Sequence, residues 1–312
     1  MKLLKDYVEN ERFSGQLLVV SALKGVTNNG LSYLTIELRD SSLQMNAKKW
    51  EVAPEDEEVF VAGNVLQIEG EIIFYKNSLQ MKVLKGKLIP EEEINSEKFL
   101  KLPPRPYEDI VNELNAFRSE IKHPDLKTIV DEILAKYMSK FLDYPAAVSI
   151  HHDYLHGLLY HTVSMLAHAK HFVEYYEDID RELLYSAIIL HDVAKCVELE
   201  GKIVFKYSLE GKLLGHIHMM AAEIRETANK HNIHSEKALL LEHLVLAHHG
   251  QLEFGSPVLP LTKEALLLSM IDNLDSKVAC VTKALETVKE GEWTNKIFAL
   301  DNRSFYKPKN EN

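Results

Sequence analysis

The sequence predicts a multidomain protein, a small N-terminal β-barrel followed by an all-helical bundle. Apolar residues alternate with period two from about Arg12 to Leu88 and recur with helical period from Tyr107 onward. The two regimes meet at a proline-rich stretch, KLPPRPYED, at residues 101–109. With 312 residues, 46% of them hydrophobic, each part can bury its own core. The expected organisation is a barrel domain over 1–90, a linker over 91–106 and a helical domain over 107–312.

The strands come first. YLTIELRD places Leu34, Ile36 and Leu38 on one face and Tyr33, Thr35, Glu37 and Arg39 on the other. LQMNAKKW sets Leu43, Met45 and Ala47 against Gln44, Asn46 and Lys48. NVLQIEGEIIFYKNSLQMKVLKG gives two further strands around a turn at Lys76, Asn77 and Ser78, with Leu79, Met81 and Val83 as one apolar set. About five short strands with glycines at their turns suggest a closed or nearly closed barrel, since closure removes exposed edges. EVAPEDEEVF supplies an acidic connection within it.

Seven helical segments follow, beginning at YEDIVNELNAFRSEI, PDLKTIVDEILAKYMSKFLDY and HGLLYHTVSMLAHAKHFVEYY. DIDRELLYSAIILHDVAK, HMMAAEIRETANKH, HSEKALLLEHLVLAHH and TKEALLLSMIDNLDSKVACVTKALETVKEG complete the bundle. The polar tail FYKPKNEN is expected to fray.

Composition excludes several classes. No segment has the apolar length of a membrane span, and the N-terminus lacks the apolar run of a signal peptide, so a cytoplasmic protein without membrane partners is expected. Cys196 and Cys280 have no paired spacing and read as core thiols. A formal charge of -11 argues against coating nucleic acid through a broad basic surface. The histidines are unevenly placed: of 15, none precedes His123 and 14 lie between His151 and His249.

Within that stretch, SAIILHDVAKCVE puts His191 and Asp192 at the end of a helix that reads as buried, with Lys195 one turn on. A buried acid costs several kcal/mol, roughly, unless a partner or a metal offsets it. Candidate ligands fall at His161, His191, Asp192, His216, His248, His249 and Asp272, in or at the ends of apolar helices. Imidazole and carboxylate without thiolate suit manganese, iron, cobalt, nickel, zinc or magnesium. Adjacent helical residues diverge by about 100°, which suits a bridging Asp192 between two ions. Lys195, with His249 or His152, is placed to stabilise developing negative charge. His123, His168, His171, His218, His231, His234 and His243 are read as solvated or structural.

Two loops complete the candidate site. GQLEFGSPVLP follows the histidine doublet and is long for a helix connection, which makes Gln251, Glu253 and Ser256 pocket candidates. HHDYLHG precedes the His161 helix and places His152 and His156 at the pocket entrance. On the barrel, Tyr33, Arg39 and Lys48 share an outward face, and Tyr75 and Lys82 belong to the later hairpin; aromatics and cations so arranged bind single strands by stacking and backbone tracking. Residues 12–88 hold nine Lys and Arg against nine Asp and Glu, so binding there should be modest and salt-sensitive.

The ordered set His161, His191 with Asp192, His216, His248 or His249, and Asp272 resembles the HD superfamily of metal-dependent phosphohydrolases, as does Ala194-Lys195 after the doublet. The resemblance implies that Asp192 bridges and Lys195 stabilises phosphate charge; His248 is the favoured ligand, with His249 as second ligand or phosphate contact. With GLSYLTIELRD in the barrel and HHDYLHGLLYHTVSM, GHIHMMAAEI, AHHGQLEFGSPVLP and IDNLDSKV in the bundle, nearly the whole chain resembles the YhaM-type 3'-to-5' exoribonucleases. These join an OB-fold to an HD domain. The resemblance implies a homo-oligomeric hydrolase acting on single-stranded RNA, with single-stranded DNA as a second candidate. Its water would be activated by divalent metal, two ions per chain and manganese first among the candidates. The competing readings are an HD phosphohydrolase for small nucleotides or cyclic dinucleotides, and a noncatalytic RNA-binding protein.

Overall fold

The computed structural model describes residues 2–309 apart from 28, 76–77, 96–97, 101, 147–153 and 202. The chain divides into two compact units, 1–102 with 201–205, and 103–200 with 206–312.

In the first unit five strands close into a barrel in the order β1-β2-β3-β5-β4. They are β1 (Arg12–Val26), β2 (Ser32–Arg39), β3 (Gln44–Trp50), β4 (Val65–Tyr75) and β5 (Ser78–Leu88), with helix α1 (Pro54–Val59) between β3 and β4. β1 is long enough to pair with β4 through Arg12–Leu18 and with β2 through Leu18–Val26; a register shift between Val19 and Ser21 bends it from one partner to the other. Parallel pairing of Ala47, Lys48 and Lys49 with Met81, Lys82 and Val83 closes the ring. This is the five-stranded OB barrel. Phe13, Leu17, Leu34, Ile36, Leu38, Met45, Ala47, Ile68, Ile72, Met81 and Val83 fill its interior.

Two expected core positions lie outside it. Leu43 precedes β3 and is exposed, because Asp40 gathers the β2–β3 turn by accepting from Ser42 N at 2.8 Å and Leu43 N at 3.0 Å. Leu79, beside the end of the β4–β5 hairpin, is 37% exposed; Lys76 and Asn77 of the expected turn lie outside the described residues. Part of the stretch expected to be a linker is structured with the barrel: Phe99 and Leu100 are buried, and Ser41 N donates to Lys98 O at 2.8 Å.

The second unit holds α2 (Tyr107–Glu120), α3 (Pro124–Asp143), α4 (Gly157–Tyr175), α5 (Arg181–Leu190), α6 (Lys195–Glu198), α7 (Leu209–Lys230), α8 (Glu236–Ala247) and α9 (Lys263–Glu286). A two-residue ladder, β6 (Leu199–Glu200) with β7 (Lys206–Tyr207), follows α6. Helix starts are set locally: Asp180, Ser208, Ser235 and Thr262 each accept from a main-chain N–H three residues on, each a cap of about 1 kcal/mol. Every residue of α5 from Leu183 to Leu190 is buried, so this helix, apolar all round, runs through the middle of the unit against α3, α4, α8 and α9.

α5 stops at Leu190 rather than running through Lys195; the chain turns and restarts as α6. α7 begins earlier than expected and breaks at Gly215, whose φ of 71° and ψ of 152° no side-chain-bearing residue adopts without strain. The tail expected to fray is anchored as far as Lys307. Tyr306 pairs with Trp293 across an antiparallel bridge, and Lys307 Nζ donates to Leu285 O and Val288 O at 2.9 Å, serving the orphan carbonyls beyond α9. No helix among the described residues is long and apolar enough to cross a membrane.

Candidate metal centre and nucleic-acid face

Five helix segments deliver the centre. His161 lies in the second turn of α4, His191 and Asp192 follow the last residue of α5, and His248 and His249 follow the last residue of α8. Helix C-termini carry partial negative charge, so two of them converging favour a cation. The break at Gly215 starts a new helical run at His216, and its free N–H donates to Glu198 Oε1 at 3.1 Å. Asp272 comes from the middle of α9.

Asp192 is the hub, and its two oxygens face different ways. Oδ2 lies 3.3 Å from His191 Nε2 and 3.8 Å from His161 Nε2; Oδ1 lies 3.3 Å from His216 Nε2 and 3.8 Å from His248 Nε2. Asp272 Oδ1 is 3.3 Å from His161 Nε2. Potential ligand atoms gather as two trios, His161, His191 and Asp192, and His216, His248 and His249; within each they lie within 4.8 Å of one another.

Each imidazole is fixed by its other nitrogen. Nδ1 of His191, His248 and His249 meets a main-chain oxygen, of Ile188, Val245 and Phe254, at 2.7 Å. Nδ1 of His161 meets Asp275 Oδ2 at 2.7 Å, and Nδ1 of His216 meets Glu198 Oε1 at 2.9 Å. At His191, His216, His248 and His249 the proton is thus placed on Nδ1 and Nε2 turns a lone pair toward the centre, the tautomer a metal requires; His161, with Asp272 at its Nε2 as well, holds a proton there until an ion displaces it. His191 Nε2, His216 Nε2, His248 Nε2 and Asp192 Oδ1 are buried without a hydrogen-bond partner among the described residues. Four such atoms in one spot would be strongly destabilising, at about 1–3 kcal/mol each, and a divalent cation is the species that takes four lone pairs at once. The residues fit one.

The electrostatics agree. Burial pushes the Asp192 carboxyl upward, but the charge of Lys195 with His191 and His216 holds it well below the usual range. Burial opposes the Lys195 ammonium, yet Asp192, 2.7 Å away, raises its pKa. Burial, with His249 and His191 adjacent, keeps His248 neutral; burial and His216 lower His249 likewise. Burial also disfavours a charged His161, but Asp272 and Asp275 outweigh it and push its pKa up to about 10.

All seven expected ligands and Lys195 are therefore drawn together. The pocket candidates behave differently. His152 lies outside the described residues. His156 braces the start of α4: its Nδ1 meets Leu142 O at 2.6 Å and its ring stacks on Tyr107 at 4.5 Å. Gln251 and Glu253 are exposed on the loop after His249, whereas Ser256 is buried and its hydroxyl has no partner among the described residues. Asp275 and Glu198, which brace His161 and His216, and Ser164, which donates to Asp275 Oδ1 at 2.5 Å, are neighbours of the centre that sequence reasoning does not single out. An acid one turn beyond a ligand acid, as in IDNLD, is the available signal.

On the barrel, Tyr33 and Trp50 are register partners with ring centroids 5.2 Å apart, and Lys48 Nζ lies 4.7 Å from one ring centre and 5.3 Å from the other. Gly25 opposite makes room: a Cβ there would lie 2.5 Å from the Tyr33 ring. Lys82 is in register with Lys48 on the next strand. Arg39 is at the far end of β2 opposite Gln44, and Tyr75 is exposed at the hairpin end of β4. Trp50, 44% exposed, is a further member of this face, and alternation in QMNAKKW already puts it on the Lys48 side.

The HD domain family matches residues 158–277. A 3'-5' exoribonuclease YhaM of Geobacillus sp. (strain WCH70) is 43% identical over 303 residues, 97% of this chain and 94% of that protein. Among solved structures, the second OB-fold domain of replication protein A from Methanococcus maripaludis is 14% identical, covers 30% of this chain and 98% of its own, and gives a TM-score of 0.25.

Proposed function

The chain belongs to the YhaM family of 3'-5' exoribonucleases, and from that premise we propose which residues do the work. It is a hydrolase, a metal-dependent 3'-to-5' exoribonuclease with RNA as substrate. In this proposal His161, His191, Asp192 and Asp272 hold one divalent ion and His216, His248, His249 and Asp192 a second. The observation that carries it is the Asp192 carboxylate, whose two oxygens face the two trios separately. Nitrogen-rich sites with carboxylate favour a borderline ion, of which manganese is our choice. Divalent ions bound there supply water acidified to near neutral pH and neutralise charge gathering on the phosphate oxygens.

The chain's own residues do the rest. Lys195, its side chain 11% exposed, is held by Asp192 within reach of a phosphate oxygen and balances charge there. Neutral His249, its Nδ1–H held by the Phe254 carbonyl, offers its Nε2 lone pair as a second ligand; as a phosphate contact it would donate only when Nε2 is protonated as well. Ser256, Gln251 and Glu253 border the same loop. On the barrel Tyr33, Trp50 and Lys48 form a stacking face, extended by Lys82, Arg39 and Tyr75 along the backbone path. Single-stranded DNA is a second substrate in this reading, because stacking does not read the 2'-hydroxyl. The outward stripe Leu266, Met270, Leu274 and Val278 of α9, each about half exposed, supports a homo-oligomer. The same proposal puts the enzyme in the cytoplasm, where its RNA substrate is turned over.

The test is incubation with 5'-labelled single-stranded RNA with and without manganese. A ladder shortening from the 3' end is expected; cleavage confined to dinucleotides or cyclic dinucleotides would replace the reading by a small-nucleotide phosphohydrolase.

A further inference from the structure

The loop that follows His249 is built around one main-chain contact. Leu252, Glu253 and Phe254 form a single tight turn, closed by Gly255 N donating to Leu252 O at 3.0 Å and Ser256 N donating to Gln251 O at 3.3 Å. At its end, Phe254 O accepts from His249 Nδ1 at 2.7 Å. His249 in turn stands in the trio with His216 and His248. The backbone of residue 254 therefore abuts the metal centre.

What residue 254 does for the fold it does through its carbonyl, which any amino acid would supply. The side chain is a different matter. Phe254 is 59% exposed, and Leu252, at the other end of the turn, is 57% exposed. An aromatic ring left in water gains nothing for the folded chain, and here it stands one residue's reach from a candidate phosphate-binding histidine. A substrate held with its scissile phosphate at the two trios extends its last nucleoside past them by about the length of one nucleotide, and the carbonyl of Phe254, 2.7 Å from His249 Nδ1, fixes the root of the exposed side chain beside that end.

A 3'-end exonuclease also has a particular need. Each cut presents a new terminal base, so the pocket must grip any base without reading its edge. Stacking meets this need, since every base has a π-face, whereas hydrogen bonds to base edges do not. Resting on the exoribonuclease reading, we propose that Phe254 is the platform on which the base of the 3'-terminal nucleotide stacks, a binding subsite distinct from the barrel face. The Phe254 carbonyl links that subsite directly to His249, so one turn both grips the departing nucleoside and orients a residue of the centre.

The test pairs a protein change with a substrate change. Wild-type protein, Phe254→Ala and Phe254→Tyr are assayed with manganese on an RNA oligonucleotide and on the same RNA abasic at its 3'-terminal nucleotide, with an internally abasic RNA as control. Phe254→Ala should raise KM for the intact RNA about tenfold with kcat and metal content unchanged, and Phe254→Tyr should restore it. The terminal abasic RNA should cost the wild type the same factor and cost Phe254→Ala nothing further. Independent, multiplicative losses from the two changes would overturn the proposal, as would a fall in kcat or metal content at unchanged KM, which would assign Phe254 to His249 alone. A wild type that leaves RNA intact would sink the exoribonuclease reading as well, so the two failures are distinguishable.

Discussion

The barrel and the helical bundle place their polar chemistry on opposite sides of their cores. The barrel interior is hydrocarbon, and its rings and cations, Tyr33, Trp50 and Lys48, stand outside on β2 and β3. The bundle turns this round. Its most constrained polar groups, His161, His191, Asp192 and His248, are buried, held where a soluble fold would otherwise place leucines. Changes on the barrel face should therefore act by small, additive amounts on affinity. Changes in the centre disturb fold, metal and chemistry together.

The largest expected effect is at Asp192. Asp192→Ala should abolish turnover, by about a thousandfold or more, and lose metal as measured by elemental analysis, while RNA binding by gel shift survives. Retained turnover would break the contrast outright. Next come the carboxylates behind the ligands: Asp275→Ala or Glu198→Ala should weaken metal binding roughly 10- to 100-fold by calorimetry, with Asp275→Asn milder because it still accepts from Ser164.

The pH dependence of the centre follows from His161. In the metal-free protein its pKa stands at about 10, above the ordinary 6.5. A raised pKa stabilises the fold fully below the unfolded value, and that stability is lost as pH climbs from 6.5 toward 10. Metal needs the neutral ring, so loading must expel this proton, and affinity should rise by up to about tenfold per pH unit across the same window. Titrating metal in two buffers of different ionisation enthalpy counts the proton; a count of zero would mean that His161 is already neutral before metal arrives.

Smaller effects belong to the barrel. Trp50→Ala should weaken single-stranded RNA binding by roughly 1–3 kcal/mol, without altering metal content. Lys48→Ala should do less at low salt and mainly flatten the logarithmic salt dependence of binding, by about 0.7 in slope. If either change emptied the centre of metal, the division between an outward and an inward chemistry would be wrong.

Much of this is legible in the sequence, for reasons that differ by region. Alternation at Leu34, Ile36 and Leu38 reveals the barrel because a strand has only two faces. The cluster around Asp192 is legible because histidines and acids in or at the ends of apolar helices are costly to bury unless an ion or a partner holds them. What stays hidden depends on contacts between distant residues. Asp275 lies 114 positions from the imidazole it holds, and its place one turn beyond Asp272 is the one local mark it carries. The α5 stop after Leu190 is invisible to periodicity, since His191-Asp192-Val193-Ala194 carries no glycine or proline to mark a turn. Leu43 misleads the alternation because Asp40 gathers its turn. The tail looks free because the anchoring role of Lys307 exists only beside the end of α9.

The order of the ligands along the chain has one further consequence. His161 comes from α4 and Asp272, with its support Asp275, from α9, the last long helix to be made. During synthesis the strands β1 to β5 emerge first, and the hydrolytic centre stays incomplete until α9 has left the ribosome. Under the proposed assignment, a nascent chain whose strands are made but whose α9 is not would lack Asp272 and Asp275 and so could not hold the ion that His161 faces.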